Sequence, residues 1–126
     1  MPSATYKLFA EAIRNKRQVH CVYDGYRRAL CPIVLGHGKG EEMALVFQFG
    51  GESSSGLPPQ GEWKCLRLAK VENPELREGA WHAGASHRQP QSCVEVVDMD
   101  ANPDSPYHPR RPQLRLVSVR RDTQDP

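Results

Sequence analysis

A tight turn at Asp24-Gly25, set between two strand-like runs, constrains the fold of this chain more than any other feature. The run before the turn, residues 18–23, alternates apolar and polar side chains, and the run after it, residues 27–35, is mainly apolar. Asp-Gly between such runs is the strongest short-range hairpin signal, because both central residues of the tightest turns need positive φ. We therefore expect an antiparallel hairpin here.

The segment before this hairpin has the pattern of an amphipathic helix. Tyr6, Phe9 and Ile13 recur at helical spacing, and Ser3 is a suitable N-cap residue. Basic side chains cluster at residues 14–17, where cations favour the C-terminal end of a helix. The sequence thus predicts one short helix that leads directly into the hairpin.

The remainder of the first hundred residues predicts three further strands. They cover residues 43–49, 63–71 and 92–99, whereas residues 72–91 contain prolines and glycines and predict irregular structure. Residues 36–40 are rich in glycine but precede a strand, so they predict a turn and exclude a phosphate-binding P-loop, which opens a helix.

Pro32 interrupts the second strand of the hairpin. Proline has no N–H for an interior ladder, so Pro32 indicates an edge, a bulge or a bend. A strongly bent strand is what a small barrel requires. With the element order, this predicts an α+β fold that is mainly β, in which an N-terminal helix precedes a five- or six-stranded barrel that resembles the SH3-like class.

The chain divides into two parts by composition. Residues 1–100 hold the predicted helix and strands, whereas residues 101–126 are rich in proline and arginine. Residues 113–119 alternate in hydropathy and form either an edge strand or part of a disordered basic tail.

Charge and hydropathy narrow the function classes. A formal net charge of +2 over 126 residues argues against a protein that binds nucleic acid over its whole surface. The arginines after residue 107 leave a local nucleic-acid contact open. No stretch has the length and apolarity of a signal peptide or a membrane span, so we expect a cytoplasmic protein without membrane contact.

The cysteines predict no metal site and no cofactor. None belongs to a Cys-x-x-Cys pair, and adjacent His20 and Cys21 point to opposite faces of a strand. In a reducing compartment we expect all of them to be free, small and buried. They are Cys21, Cys31, Cys65 and Cys93.

Four segments resemble the WYL domain, a small barrel of the SH3-like or Sm-like class. Residues 12–25 resemble its opening helix and Y-x-G hairpin, and residues 32–35 its P-x-x-L strand. Residues 42–46 occupy the place of the Trp-Tyr-Leu triplet, and residues 66–71 resemble its F-R-L-D-R-I strand. The resemblance covers residues 8–76.

The chain also departs from the WYL pattern. Only Leu45 of the naming triplet remains, with Met43 and Ala44 in the other two places. Ala69 and Lys70 replace the aspartate and arginine of the later strand. We therefore expect a divergent, stand-alone member of the family.

The WYL resemblance implies a regulatory module that senses a ligand, such as a nucleotide or nucleic acid. Arg67 is the leading ligand-binding candidate, because it shares a strand face with Trp63 and Cys65 and a guanidinium binds phosphate well. Arg27, Arg28 and Tyr23 beside the hairpin turn complete the predicted site for a small anionic ligand.

No catalytic residue is predicted. The histidines are scattered and no G-x-S-x-G elbow is present, so we expect no enzyme. One alternative is a nucleic-acid-binding accessory protein that uses Tyr26, Arg110, Arg111 and Arg115. Another is a structural subunit that adds a strand, or forms a homo-oligomer, through an exposed edge at Pro32 or the terminal strand.

Overall fold

The computed structural model describes residues 2–53, 56–82, 93–101 and 111–112. One helix precedes an antiparallel sheet, which confirms the predicted α+β fold that is mainly β. A 3₁₀ turn, Leu68–Lys70, follows the fourth strand. In chain order the helix and strands are α1 (Ala4–Asn15), β1 (Gln18–Tyr23), β2 (Tyr26–Gly38), β3 (Glu41–Gly51), β4 (Glu62–Arg67), β5 (Glu72–Arg77), β6 (Val96–Asp100) and β7 (Arg111–Pro112).

Strand β2 organises the sheet, whose order is β4-β3-β2-β1-β5. One edge of β2 pairs with β3 along most of its length. The opposite edge pairs first with β1, from Tyr26 to Leu30, and then with β6, from Val34 to His37. A strand that is shared in this way is compatible with a barrel-like domain.

Helix α1 begins and ends as its sequence predicts. The Ser3 hydroxyl accepts a hydrogen bond from the Tyr6 backbone N–H, which makes Ser3 the N-cap. Phe9, Ala12 and Ile13 are buried against the sheet, so the apolar stripe is the packed face of the helix. Lys16 takes the left-handed conformation and ends the helix.

The hairpin at Asp24-Gly25 is confirmed. Asp24 has φ 53° and Gly25 has φ 82°, and Tyr23 pairs with Tyr26 on either side of the turn. A second turn of the same kind, Lys39-Gly40, joins β2 to β3. Strand β2 therefore continues through residues 36–38, which the sequence assigned to a turn.

Pro32 lies at a bulge in an interior strand. Pro32 pairs with Val46 and Val34 pairs with Leu45, so Ile33 is the extra residue of β2. The prediction of a bulge is confirmed, but the prediction of an exposed edge at Pro32 is wrong, because Pro32 is buried and β2 has neighbours on both sides. The Ala101 N–H donates to the Ile33 carbonyl at 2.7 Å.

Both faces of the sheet carry an apolar cluster. The helix-side core packs α1 against the sheet and includes Phe9, Leu30, Leu35, Leu66 and Leu68. The outer core lies on the other face and includes Cys31, Ile33, Phe47, Val94 and Val97. The bulge explains why the neighbours Ile33 and Val34 both belong to the outer core, since one extra residue shifts the alternation of side chains along β2.

Strand β5 was not predicted. Asn73 has φ 50° and precedes Pro74, so this part of the sequence has the composition of a turn. The segment nevertheless pairs with β1, with Leu76 opposite Val19. Later boundaries also differ: β4 ends at residue 67, and β6 begins at residue 96. The predicted strand at 113–119 lies outside the described residues.

The expectation of four free cysteines is wrong for two of them. Cys65 and Cys93 form a disulfide, with Cα atoms 5.6 Å apart. Cys21 and Cys31 are free and buried, as expected. Burial raises the pKa of the Cys21 thiol to about 11 and also raises the pKa of Cys31, so both stay protonated at neutral pH.

Among the described residues, no helix has the length and apolarity needed to cross a membrane. The predicted cytoplasmic location stays a prediction.

Candidate functional site

A basic groove lies on the sheet face that points away from α1. It has a volume of about 660 Å³ and spans β1, β2 and β5. We call it the arginine groove. The polar and charged residues in its lining are His20, Arg27, Arg28, Asn73, Glu75 and Arg77.

Strand register explains why these side chains meet. His20 lies opposite Ala29 of β2 and Glu75 of β5, and Val22 lies opposite Arg27. Because side chains alternate along each strand, Arg27 shares this face with His20 and Arg77. The unpredicted strand β5 therefore supplies one wall of the groove.

The charges of the groove are unbalanced. Among the described residues, Glu75 is the only carboxylate in its lining, and it forms an ion pair with Arg77 at 3.1 Å. Arg27 is exposed and forms no ion pair with any other described residue. On this face two guanidinium groups, those of Arg27 and Arg77, stand against one carboxylate, whereas Arg28, opposite Cys21, points to the other face. The excess of guanidinium groups gives the groove a positive potential, which suits an anionic ligand.

Arg28 is the most deeply placed of these arginines, with 7% of its surface exposed. Its guanidinium donates to the Tyr23 carbonyl at 3.2 and 3.3 Å and to Gln48 Oε1 at 3.1 Å. It also lies 5.4 Å from the ring centroid of Tyr23 and 5.8 Å from that of Tyr26. Within the described residues its charge meets only neutral acceptors, so it adds to the positive potential.

His20 responds to this potential. Partial burial, followed by the charge of Arg77, lowers the pKa of His20 below its ordinary value, while Glu75 opposes the shift. His20 Nε2 lies 3.1 Å from Gln18 Oε1. Its ring meets Phe49 edge to face, with ring centroids 6.2 Å apart, and Phe49 stacks on His82 at 4.3 Å, so two further flat rings extend from His20.

Arg67 lies elsewhere. It lines a second concavity of about 520 Å³, where its Nε donates to Glu41 Oε1 at 2.9 Å. This hydrogen bond, more than any other cause, raises the pKa of Arg67. Tyr23 is buried in the helix-side core, and its hydroxyl accepts from the Arg67 backbone N–H at 3.1 Å.

The predicted site residues thus lie in separate places. Arg27 and Arg28 line the arginine groove, Arg67 lines the second concavity, and the Tyr23 ring lines neither of them. The four residues do not converge on one pocket, because Arg27 and Arg67 belong to different concavities of the sheet.

Only some of the residues predicted for nucleic-acid binding lie in the described part of the chain. Tyr26 is half-buried at the hairpin turn, beside Arg28. Arg111 belongs to β7, whose backbone alone is described. Arg110 and Arg115 lie outside the described residues.

Sequence reasoning missed Asn73 and Arg77 as site residues, because it did not predict β5. The available signal was Leu76 between two charged residues, an alternation that the preceding Asn-Pro obscured. Among the described residues, no group of three or more His, Cys, Asp or Glu side chains has the geometry to hold a metal ion.

Comparisons with protein-family models, with curated proteins and with solved structures each found no match for this chain. The resemblance to the WYL domain therefore stays a prediction.

Proposed function

We propose that this protein is a non-enzymatic regulatory module that binds a small anionic ligand, a nucleotide, in the arginine groove. The observation that carries the proposal is the excess of guanidinium groups there, with Arg27 exposed and free of any ion pair to the other described residues. A guanidinium donates two parallel hydrogen bonds to a phosphate, so Arg27 is the primary phosphate contact. The resemblance to the WYL domain adds support for a sensing role.

The rings beside the groove favour a nucleotide over a simple anion. His20 lines the groove and contacts Phe49, which gives a base a flat apolar surface near the phosphate contacts. Stacking of a base on an aromatic ring contributes about 1–3 kcal/mol. A ligand with both a phosphate and a base would use both halves of this arrangement.

The test is thermal unfolding with ATP and GTP, with adenosine as an uncharged control and pyrophosphate as a control without a base. A ligand at a hundred times its Kd stabilises the folded chain by about 2.7 kcal/mol, which is easily measured. Arg27→Gln is expected to weaken nucleotide binding about tenfold, because a hydrogen bond to a charged group contributes about 1.5 kcal/mol or more.

Arg67→Gln is the matched control, since Arg67 is an exposed arginine outside the groove. It is expected to leave nucleotide binding unchanged. Equal stabilisation of Arg27→Gln and the wild-type chain would overturn the proposal, and so would loss of binding in Arg67→Gln alone.

The second candidate function is binding of single-stranded nucleic acid, and the position of Tyr26 supports it. Its half-buried ring lies at the hairpin turn beside Arg28, where an aromatic ring and a cation are close together. A fluorescent oligothymidine distinguishes the two functions. Binding that falls steeply between 50 and 200 mM salt, and that Tyr26→Ala weakens, would support nucleic acid.

A further inference from the structure

The Cys65–Cys93 disulfide opens into the second concavity of the protein, which we call the disulfide groove. This groove has a volume of about 520 Å³, and both cysteines line it. Cys65 is exposed, whereas Cys93 is half-buried. We therefore expect a reagent that enters the groove to react at Cys65 before Cys93.

The charges around this disulfide differ from those of the arginine groove. Lys39 and Arg67 provide two cations, and Glu41 and Glu95 provide two carboxylates. Arg67 is paired with Glu41, and Glu95 accepts the Lys39 backbone N–H at 3.1 Å. The Lys39 ammonium forms no ion pair with any other described residue. Such a balanced lining suits a ligand that carries both an amino group and carboxylates, not a simple anion.

From this arrangement we infer that the disulfide groove is a site of thiol–disulfide exchange with a small zwitterionic thiol, a cysteine-containing peptide. Lys39 binds a carboxylate of the peptide, and Glu95 binds its ammonium. The groove thereby holds the thiol sulfur against Cys65 and raises the rate over that of a thiol with no matching charge.

The exchange has two balanced steps. The peptide thiolate attacks Cys65 Sγ, the bond between Cys65 and Cys93 breaks, and its electron pair goes to Cys93 Sγ, which takes up a proton. Cys93 Sγ lies 3.4 Å from the Ala44 carbonyl oxygen, which accepts a hydrogen bond from the new thiol. A second peptide thiolate then attacks the peptide sulfur of the mixed disulfide, which frees Cys65 and leaves an oxidised peptide dimer.

The two buried free thiols do not take part in this exchange. Cys21 and Cys31 are both buried, away from this groove, so exchange is confined to one pair of sulfurs. Peptide mapping by mass spectrometry can then assign each adduct to Cys65 or Cys93.

The experiment compares reduced glutathione with 2-mercaptoethanol, a neutral thiol, by following loss of the disulfide under equal thiolate concentrations. Lys39→Gln is expected to slow the reaction with glutathione about threefold, the effect of losing one exposed ion-pair contact, and to leave 2-mercaptoethanol unaffected. Lys7→Gln, on the exposed face of α1, is the matched control and should change neither rate.

A trapped adduct provides a second readout that does not depend on Lys39. Cys93→Ser leaves Cys65 without its partner, and oxidised glutathione should then form a stable mixed disulfide on Cys65. Cys65→Ser should react more slowly, since Cys93 is the less accessible sulfur.

Equal selectivity of wild type and Lys39→Gln between the two thiols would overturn the inference, as would faster labelling of Cys93 than of Cys65. The inference stands apart from the proposed nucleotide function. Arg27→Gln should leave the exchange rate unchanged, so failure of one proposal does not imply failure of the other.

Discussion

At the scale of single residues, Gly36 sets how closely β6 approaches β2. A Cβ atom at Gly36 would collide with the Val96 carbonyl oxygen and would lie 2.7 Å from Val94 Cγ1. The Val96 carbonyl oxygen belongs to the backbone, so it cannot rotate away from the added Cβ. We expect Gly36→Ala to lower the free energy of unfolding by about 2 kcal/mol, in the range of other overpacked sites, as measured by urea denaturation.

Gly50→Ala is the control for this substitution. A Cβ there would meet only Ala29 Cβ, at an ordinary distance of 3.5 Å. We expect a change within about 0.5 kcal/mol. Equal losses in the two variants would show that the approach of β6 is not what requires glycine at position 36.

His20 is expected to make the stability of the protein depend on pH. Its pKa is lowered in the folded chain, so the unfolded chain binds the proton more readily. Above the unfolded pKa of about 6.5 the difference does not change the free energy of unfolding, because His20 is neutral in both states. The free energy of unfolding decreases as the pH falls through that value toward the folded pKa. His20→Asn should therefore lose less stability than the wild type between pH 7 and pH 5.5 in urea titrations. A steeper loss in the variant would contradict the assigned sign.

The roles of single side chains were only partly predictable from the sequence. Alternation along β4 correctly predicted that Cys65 and Arg67 share a face, since both are exposed while Leu66 is buried. It did not predict that Glu41 pairs with Arg67, because that contact depends on how β3 and β4 are aligned. Local patterns specify which face a side chain occupies, whereas its partner depends on register.

At the scale of elements, the start of α1 depends on Ser3. Its hydroxyl caps the helix, and both its hydroxyl and its backbone N–H donate to the Glu42 carboxylate at the start of β3. We expect Ser3→Ala to lower the free energy of unfolding by about 1 kcal/mol, because a helix N–H loses its acceptor. Circular dichroism during thermal unfolding measures the change.

Ser3→Thr is the matched control, since threonine keeps the hydroxyl for both contacts. It should unfold within about 0.5 kcal/mol of the wild type. A threonine variant as unstable as the alanine variant would show that shape at residue 3, rather than the hydroxyl, is what α1 requires.

The elements that the sequence predicted correctly carry local signals. The cap of α1, the Asp24-Gly25 turn and the irregularity at Pro32 each depend on a few adjacent residues. In strand β5 the alternation around Leu76 is obscured, because Asn73 and Pro74 favour a turn, and pairing with β1 overrides that preference. The arginine groove was missed for the same reason, since β5 forms one of its walls.

At the scale of the whole molecule, the disulfide joins β4 to the segment before β6 across 28 residues. Closing a loop of that length restricts the unfolded chain and contributes about 3.5 kcal/mol to stability on the chain-entropy estimate. We expect the double variant Cys65→Ser, Cys93→Ser to lose about that much in urea denaturation.

The wild-type chain in a phosphine reductant serves as the control for this double variant. Both should show the same stability, because both lack the same link. A reduced wild-type chain that stays as stable as the oxidised one would contradict the prediction.

The pairing of Cys65 with Cys93 could not be predicted from the sequence. Cys65 and Cys93 lie 28 positions apart, and no spacing motif links them. Their pairing follows from the return of the chain to β2 after β5: Cys93, just before β6, contacts Ala44 of β3, and β3 pairs with β4. A contact of this kind depends on the complete topology, so composition and periodicity do not predict it.

The sharing of one edge of β2 by β1 and β6 has a consequence for the order of assembly. The pairings of β2 with β1 and with β3 close across turns of two residues, whereas the pairing with β6 must bring together segments about sixty residues apart. Short loops close at a lower entropic cost than long ones. We therefore expect the three-stranded unit around β2 to form first, and β6 to dock onto an edge that this unit already presents.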